Sequence, residues 1–238
     1  MKKSTTIGIV IIIFVIGLVT FGILKFSGFT SNQKTIDVTE TAEIKKDADR
    51  LVINVGVETQ GNSASEAEDK NKEITNKIYE SLKSLGLNED EYSTESYNVY
   101  TDRNWENNQI KGYIVSHNIK IDTEKIDMAG KILDVSIDSG ANQIYGLQFT
   151  LKEETEKAAR EEAYTKASEG ARIKAESIAK GLGVKITKIV KITDSTFNYI
   201  PYMTDVAYSE VEAKGADMNI QPGDVTVSAS ISVSYGFR

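Results

Sequence analysis

The chain has 238 residues, no cysteine and a formal net charge of −7. Without thiols, disulfides, thiol catalysis and thiolate metal sites are excluded. The acidic balance argues against nucleic acid or an anionic lipid surface as partner, and 40% apolar with 26% charged residues is the composition of a globular fold.

Lys2 and Lys3 precede an apolar run at residues 7–26, with no charge before Lys25. A run of about 20 apolar residues is long enough to cross a bilayer as a helix. A cleaved secretory signal is the competing reading, but its apolar core spans about 7–15 residues and ends in a small-x-small site. This run is longer, and no Ala-x-Ala follows it. The expectation is therefore a cytoplasmic amino terminus at 1–6, a single-pass transmembrane anchor at 7–26, a stalk at 27–35 and an extracytoplasmic domain at 36–238. The two lysines keep the short terminus inside. A periplasmic or secreted protein, released by cleavage, is the alternative.

Ile36 to Ile44 and Leu51 to Thr59 alternate apolar and polar residues, which predicts two strands. Asp47-Ala48-Asp49 between them reads as a turn, so the two are expected to form a hairpin. A helix follows, capped by Ser63 or Ser65, with Glu66 and Glu68 in its first turn and Gly86 at its end. Strands are predicted at about 92–102 and 109–123, the second with Tyr113, Val115, His117, Ile119 and Ile121 on one face. Residues 103–108 between them form a polar hairpin tip that carries the only tryptophan, Trp105.

A short helix is predicted at about 125–138 and a strand at 143–151. The longest helix, 152–180, carries Glu156–Arg160, Glu162–Lys166 and Glu176–Lys180 at the favourable four-residue spacing. Gly181-Leu182-Gly183 stops it. A strand at 184–193, an irregular stretch at 196–222 and a strongly alternating strand at 224–237 complete the chain. The fold class is α+β: an antiparallel-rich sheet in ββαββαβαββ order, with helices packed on one face.

Several islands share their order and spacing with a known pattern. They include IDVTETAEI, ADRLVINVGVET, GYIVSHNIKI, GANQIYGLQFTL, AKGLGVKI and PGDVTVSASISVSYGF. Together they resemble the SIMPL domain family of bacterial exported proteins, which includes periplasmic immunogenic proteins, over about residues 36–238. The resemblance implies an envelope protein that self-assembles. It implies no catalytic residue.

His117 is the only histidine and sits on an apolar strand face, where a core or interface histidine is the simpler reading than a catalytic one. No Gly-x-Ser-x-Gly elbow occurs. Ala159, Ala163, Ala167, Ala171, Ala175 and Ala179 form a row of small residues four apart. On a helix of 3.6 residues per turn the row winds by about 40° per step. It either packs on its own sheet or contacts a second subunit. Trp105 either folds back over its sheet or marks an interface. Phe197, Tyr199, Ile200, Pro201, Tyr202 and Met203 are unusually aromatic for an irregular segment, and serve either a private small core or an interface. The acids of that stretch lack the spacing of a calcium loop.

The expectation is a non-enzymatic, membrane-anchored extracytoplasmic domain without metal or cofactor. It forms a homo-oligomer and binds an envelope protein or small ligand, in envelope maintenance or stress protection. Its candidate interface residues are Trp105, Ala159, Ala163, Ala167, Ala171, Ala175, Tyr199, Tyr202 and Met203. The alternative is a small-molecule or peptide-binding module that uses residues 196–222.

Overall fold

The computed structural model describes residues 34–204 and 220–238. The proposed anchor at 7–26 lies outside them. Among the described residues, no helix is long and apolar enough to cross a membrane. Two compact units are present: a larger one of residues 39–171 and 194–231, and a smaller one of residues up to 38, 172–193 and 232–238.

In chain order the elements are β1 (Thr35–Asp47), β2 (Arg50–Gly61), α1 (Ala64–Ser84), β3 (Tyr92–Arg103) and β4 (Ile110–Thr123). A single 3-10 turn (Ile126–Met128) leads into α2 (Ala129–Asp138). Then come β5 (Gln143–Thr150), α3 (Glu153–Gly181), β6 (Ile186–Ile200), β7 (Tyr202–Thr204) and β8 (Asp224–Phe237). The class is α+β, as the hydropathy pattern predicts. The strands form two sheets rather than one, in the orders β3-β4-β2-β5-β7 and β1-β8-β6. The pairs β3–β4, β4–β2, β2–β5 and β5–β7 are all antiparallel.

The core of the larger unit is built on β2. Leu51, Ile53, Val55 and Val57 alternate inward and are 0–1% exposed. Ile53 lies between Ile121 of β4 and Leu147 of β5, and Leu51 lies between Thr123 and Phe149. Ile78 and Leu82 of α1 and Ile132 and Leu133 of α2 close over this face.

Helix ends follow the local chemistry of the sequence. The Ser63 hydroxyl accepts the Glu66 N–H at 3.2 Å, and the Glu66 carboxylate reaches back to the Asn62 N–H. At the other end Gly86 takes φ +94°. The Gly86 and Leu87 N–H groups then cap the Lys83 and Leu82 carbonyls. Leu87 and Leu82 join the core on either side of that turn. Gly140 and Gly183 end α2 and α3 in the same way, at φ +110° and +70°.

Two expectations are corrected here. β1 and β2 are not a hairpin, since they belong to different sheets. The reason lies in the connection. Ala48 is buried, and Asp49 holds the start of α3 by accepting the Lys152 N–H at 2.6 Å and the Thr155 hydroxyl at 2.5 Å. A carboxylate committed to one N–H and one hydroxyl of a helix start is not a solvent-facing turn residue. The second correction concerns the stretch from 196, where strand β6 continues to Ile200 and β7 follows Pro201. Phe197 and Tyr199 face the core while Asn198 and Ile200 are exposed, a two-residue period. The Tyr199 hydroxyl accepts the Leu151 N–H at 2.9 Å, and the Arg160 guanidinium lies 4.0 Å above the Phe197 ring. Residues 205–219 lie outside the described residues.

A charged groove of about 650 Å³ lies in the larger unit at the start of β2 and the end of β4. Acids outnumber bases along it, and three of the carboxylates are paired. Arg50 makes two hydrogen bonds to Asp122, Lys120 joins the same carboxylate at 3.0 Å, Lys125 pairs with Glu91 at 2.6 Å, and Lys152 pairs with Glu124 at 2.6 Å. Thr123 also donates to Glu91. Burial alone pushes the Asp122 and Glu91 carboxyls up, but the hydrogen bonds they accept outweigh it and hold both below their usual values of 3.8 and 4.5. A carboxylate with a depressed folded-state pKa stabilises the fold above its unfolded value and loses that contribution as pH falls through its folded value. Urea unfolding should therefore show stability declining as pH falls below about 5, with a shallower decline for Asp122→Asn. An equal slope in the variant and the parent would remove Asp122 from this account.

Candidate functional site

The five-stranded sheet ends on β3, whose outer edge has no strand beside it among the described residues. β3 pairs with β4 over its length, so Tyr97 lies opposite His117, Val99 opposite Val115 and Tyr100 opposite Ile114. Val115 and His117 are buried, yet Tyr97, Val99 and Tyr100 are 47%, 41% and 53% exposed. From Ser96 to Thr101 this edge carries no charge, no proline and no glycine. Unpaired, uncharged and β-prone edges are the ones that recruit a further strand.

The hairpin tip beyond β3 is ordered by its asparagines. Asn104 Oδ1 accepts the Glu106 N–H at 2.9 Å, Asn107 Oδ1 accepts the Gln109 N–H at 3.1 Å, and the Asn104 N–H reaches the Gln109 carbonyl at 2.8 Å. Arg103 donates to the Asn108 carbonyl at 3.1 Å, with Asn108 at φ +57°. On this fixed loop Trp105 is 87% exposed and does not fold back over the sheet. Ile110, where the chain re-enters β4, is 49% exposed.

A second edge with no strand beside it among the described residues lies on β6, at the end of the three-stranded sheet. In the smaller unit its residues Ile189, Val190 and Ile192 are 53%, 38% and 65% exposed. Apolar residues exposed on both faces of one strand are unusual on a solvated surface.

Of the sequence-predicted interface residues, the structure brings only some to the surface. Tyr202 and Met203 on β7 are 41% and 61% exposed. Tyr202 lies against Phe149, with ring centroids 6.2 Å apart, and its ring also covers Gly223. Tyr199 is half-buried and belongs to the packing. The alanine row is corrected outright: Ala159, Ala163, Ala167, Ala171 and Ala175 are all 0% exposed, so they cannot face a second subunit. The physical reason is that a four-residue row is a continuous ridge inclined to the helix axis. Alanines along it let α3 sit close to its own chain over the whole ridge. The four-residue ion pairs mark its solvent side: Glu156–Arg160 at 2.5 Å and Glu162–Lys166 at 3.0 Å, with Glu176 paired to Arg172 instead of Lys180.

His117 is buried, as its position on an apolar face predicts. Its Nδ1 lies 3.2 Å from the Thr75 hydroxyl and its Nε2 lies 2.8 Å from the Thr94 hydroxyl. Both nitrogens are thus engaged by threonines. Beside the ring is a cavity of about 460 Å³, bordered by Glu68, Asp69 and Lys72 of α1 and by Tyr97 of β3. No group of three or more potential metal ligands occurs among the described residues.

Sequence reasoning missed the exposed face of β3, the apolar edge of β6 and the threonine partners of His117. The lack of charge in Ser96–Thr101 was a readable signal for the first. The threonines had none, because they lie 42 and 23 positions from the histidine.

Comparison with known proteins supplies the family. Residues 36–235 match the family model SIMPL, described as a protein of unknown function (DUF541). The 26 kDa periplasmic immunogenic protein of Brucella melitensis biotype 1 is 29% identical over 172 residues, covering 69% of this chain and 68% of that protein. The protein of the same description from Brucella abortus is 28% identical over 172 residues, with the same coverage. The match reaches into both units and covers all but the outermost residues of β1 and β8, and the chain belongs to the SIMPL family.

Proposed function

We propose that this chain is a non-enzymatic protein of the cell envelope, tethered by residues 7–26 and working outside the cytoplasmic membrane, where it self-assembles and engages an envelope partner. Maintenance of the envelope or protection under stress is the role that suits such a protein. The observation that carries the reading is the pair of open edges, β3 with its Trp105 tip and β6, on which large apolar side chains stand exposed. The relatives' description as periplasmic supports the compartment. The apolar run supports the tether.

A second copy is the natural occupant of the β3 edge. Two β3 strands set antiparallel and centred on Val99 place Ser96 of each copy opposite Asp102 of the other, twice per pair, within the regular stretch that follows the irregularity at Glu95. Tyr97 and Thr101 then face each other across the same seam. This symmetric, self-complementary contact closes on itself as a dimer edge, and β6 offers a separate surface for further growth.

The test is the solution mass of the full chain in mild detergent, measured by light scattering across a concentration range. Val99→Lys places two like charges at the centre of the seam and should shift dissociation by about tenfold or more, equivalent to at least about 1.4 kcal/mol. Trp105→Ala should weaken assembly as well, and neither change should alter the circular dichroism of the fold, since both side chains are exposed. An unchanged mass in both variants would remove the β3 hairpin from the assembly.

A further inference from the structure

His117 is the chain's only histidine, and the groups around it fix where its proton sits. Asn71 of α1 donates its amide to the Val57 carbonyl of β2 at 2.9 Å. Its Oδ1 therefore faces Thr75, 3.3 Å away. A carboxamide oxygen only accepts, so the Thr75 hydroxyl donates to it. With that one hydrogen committed, the Thr75 oxygen accepts from His117 Nδ1 at 3.2 Å, and Nδ1 carries the hydrogen. Nε2 is left with a lone pair, to which the Thr94 hydroxyl donates at 2.8 Å. The Thr94 oxygen accepts in turn from the Tyr79 hydroxyl at 3.3 Å. The hydrogen bonds run one way, from Tyr79 near the surface to Val57 in the core.

We propose that His117 is a proton-operated latch between α1 and the edge strand β3. With the ring neutral, the chain ties Thr94 of β3 to Thr75 and Asn71 of α1. A proton taken from solvent onto Nε2 sets a donor against the Thr94 donor. Thr94 and Tyr79 must both turn their hydrogens, and a full charge occupies a side chain only 9% exposed. In that position no carboxylate among the described residues is hydrogen-bonded to it. Tyr97 of β3 meets the ring edge-on, with centroids 5.3 Å apart. Val115 and Ile119, its same-face neighbours on β4, and Val57 on β2 are uncharged.

The cavity beside the ring supplies the open state. Glu68 and Asp69 border it, with Lys72 as the one cation, and Tyr79 and Tyr97 complete its titratable groups. A charged imidazole that swings into this space gains solvent and two carboxylates. In doing so it releases Thr94 and frees the first half of β3. Burial already holds the imidazole below its ordinary value of 6.5, which keeps the latch closed at neutral pH. A base whose folded pKa lies below its unfolded one stabilises the fold fully above the unfolded value. That contribution is lost as pH falls through 6.5 toward the folded value.

The sole histidine makes the test direct. The full chain, labelled with nitrogen-15 at histidine and held in mild detergent, is titrated by nuclear magnetic resonance from about pH 7.5 to about pH 4.5. The expected result is the Nδ1–H tautomer at neutral pH and protonation below 6.5. Over the same range, amide exchange at residues 94–97, corrected for its intrinsic pH dependence, should accelerate by about tenfold or more. His117→Gln, uncharged throughout, should lose that acceleration. The Nε2–H tautomer at neutral pH would overturn the latch. So would a titration that leaves β3 exchange unchanged, or an acceleration that persists in His117→Gln. If that variant does not fold, the tautomer and exchange of the parent chain decide the matter alone. The tautomer and the titration do not depend on self-assembly, and the exchange is read on chain diluted until it is dissociated, because Tyr97 also lies in the proposed seam.

Discussion

Phe149→Ala should destabilise the larger unit by about 3–5 kcal/mol, the usual loss for a buried phenylalanine when its cavity does not collapse. Phe149 is 0% exposed and lies opposite Leu51 on one side of β5 and opposite Tyr202 on the other. Removal of the ring takes packing from both neighbours. β7 has three residues, too few to hold a sheet edge by hydrogen bonds alone, so its attachment depends on the contact between Phe149 and Tyr202. Urea unfolding should report the loss in stability. Amide exchange at residues 202–204 should rise well before the rest of the sheet opens. A loss under about 1 kcal/mol would mean that the site collapses around the missing ring, and β7 would then owe its place to something other than Phe149.

Ala163→Leu is the second large effect. The position is fully buried in the core, and three added carbons have no free volume to enter. Overpacking of this kind costs about 1–3 kcal/mol and at times more. The substitution also separates the two readings of the alanine row. An alanine that packs inside its own chain makes the variant less stable at every protein concentration. An alanine that touched a second subunit would leave the dissociated chain as stable as before and change only the mass. The burial of Ala159, Ala163 and Ala167 predicts the first result. Equal unfolding midpoints for parent and variant at low concentration would reverse that conclusion.

Much of the fold is written in short-range pattern. The alternation in LVINVGVET and DVTVSASISVSYGF reappears as β2 and β8 with alternate residues buried. Ser63 caps α1 and Gly86 ends it, because capping chemistry involves residues three or four apart. The stretch TFNYI shows why this reading has a limit. Its two-residue period is as regular as that of β2, but aromatic residues near a proline read as an irregular segment until Tyr199 is seen to accept the Leu151 N–H.

The candidate site is less legible. Trp105 was accessible from sequence because a tryptophan among five polar residues can only cap a tip or bury itself. Tyr97 and Val99 were not. By register they share a face with His117 and Val115, which the core covers, and yet they stand exposed at the edge of the sheet. Periodicity says which residues lie on one face. It does not say how far the covering helix reaches across that face.

By itself the sequence determined the class, the position of nearly every strand and helix, the caps of α1 and the family. These follow from apolar period, from single-residue backbone preferences and from residues close in the chain. Only the tertiary structure decided that β1 and β2 part into separate sheets, that the alanine row is interior, and that Thr75 and Thr94 meet on His117. Each of those outcomes depends on contacts between segments tens of residues apart, where Asp49 finds a helix start and a histidine finds two threonines. Such contacts are selected by the packing of the whole chain, and no local pattern records them.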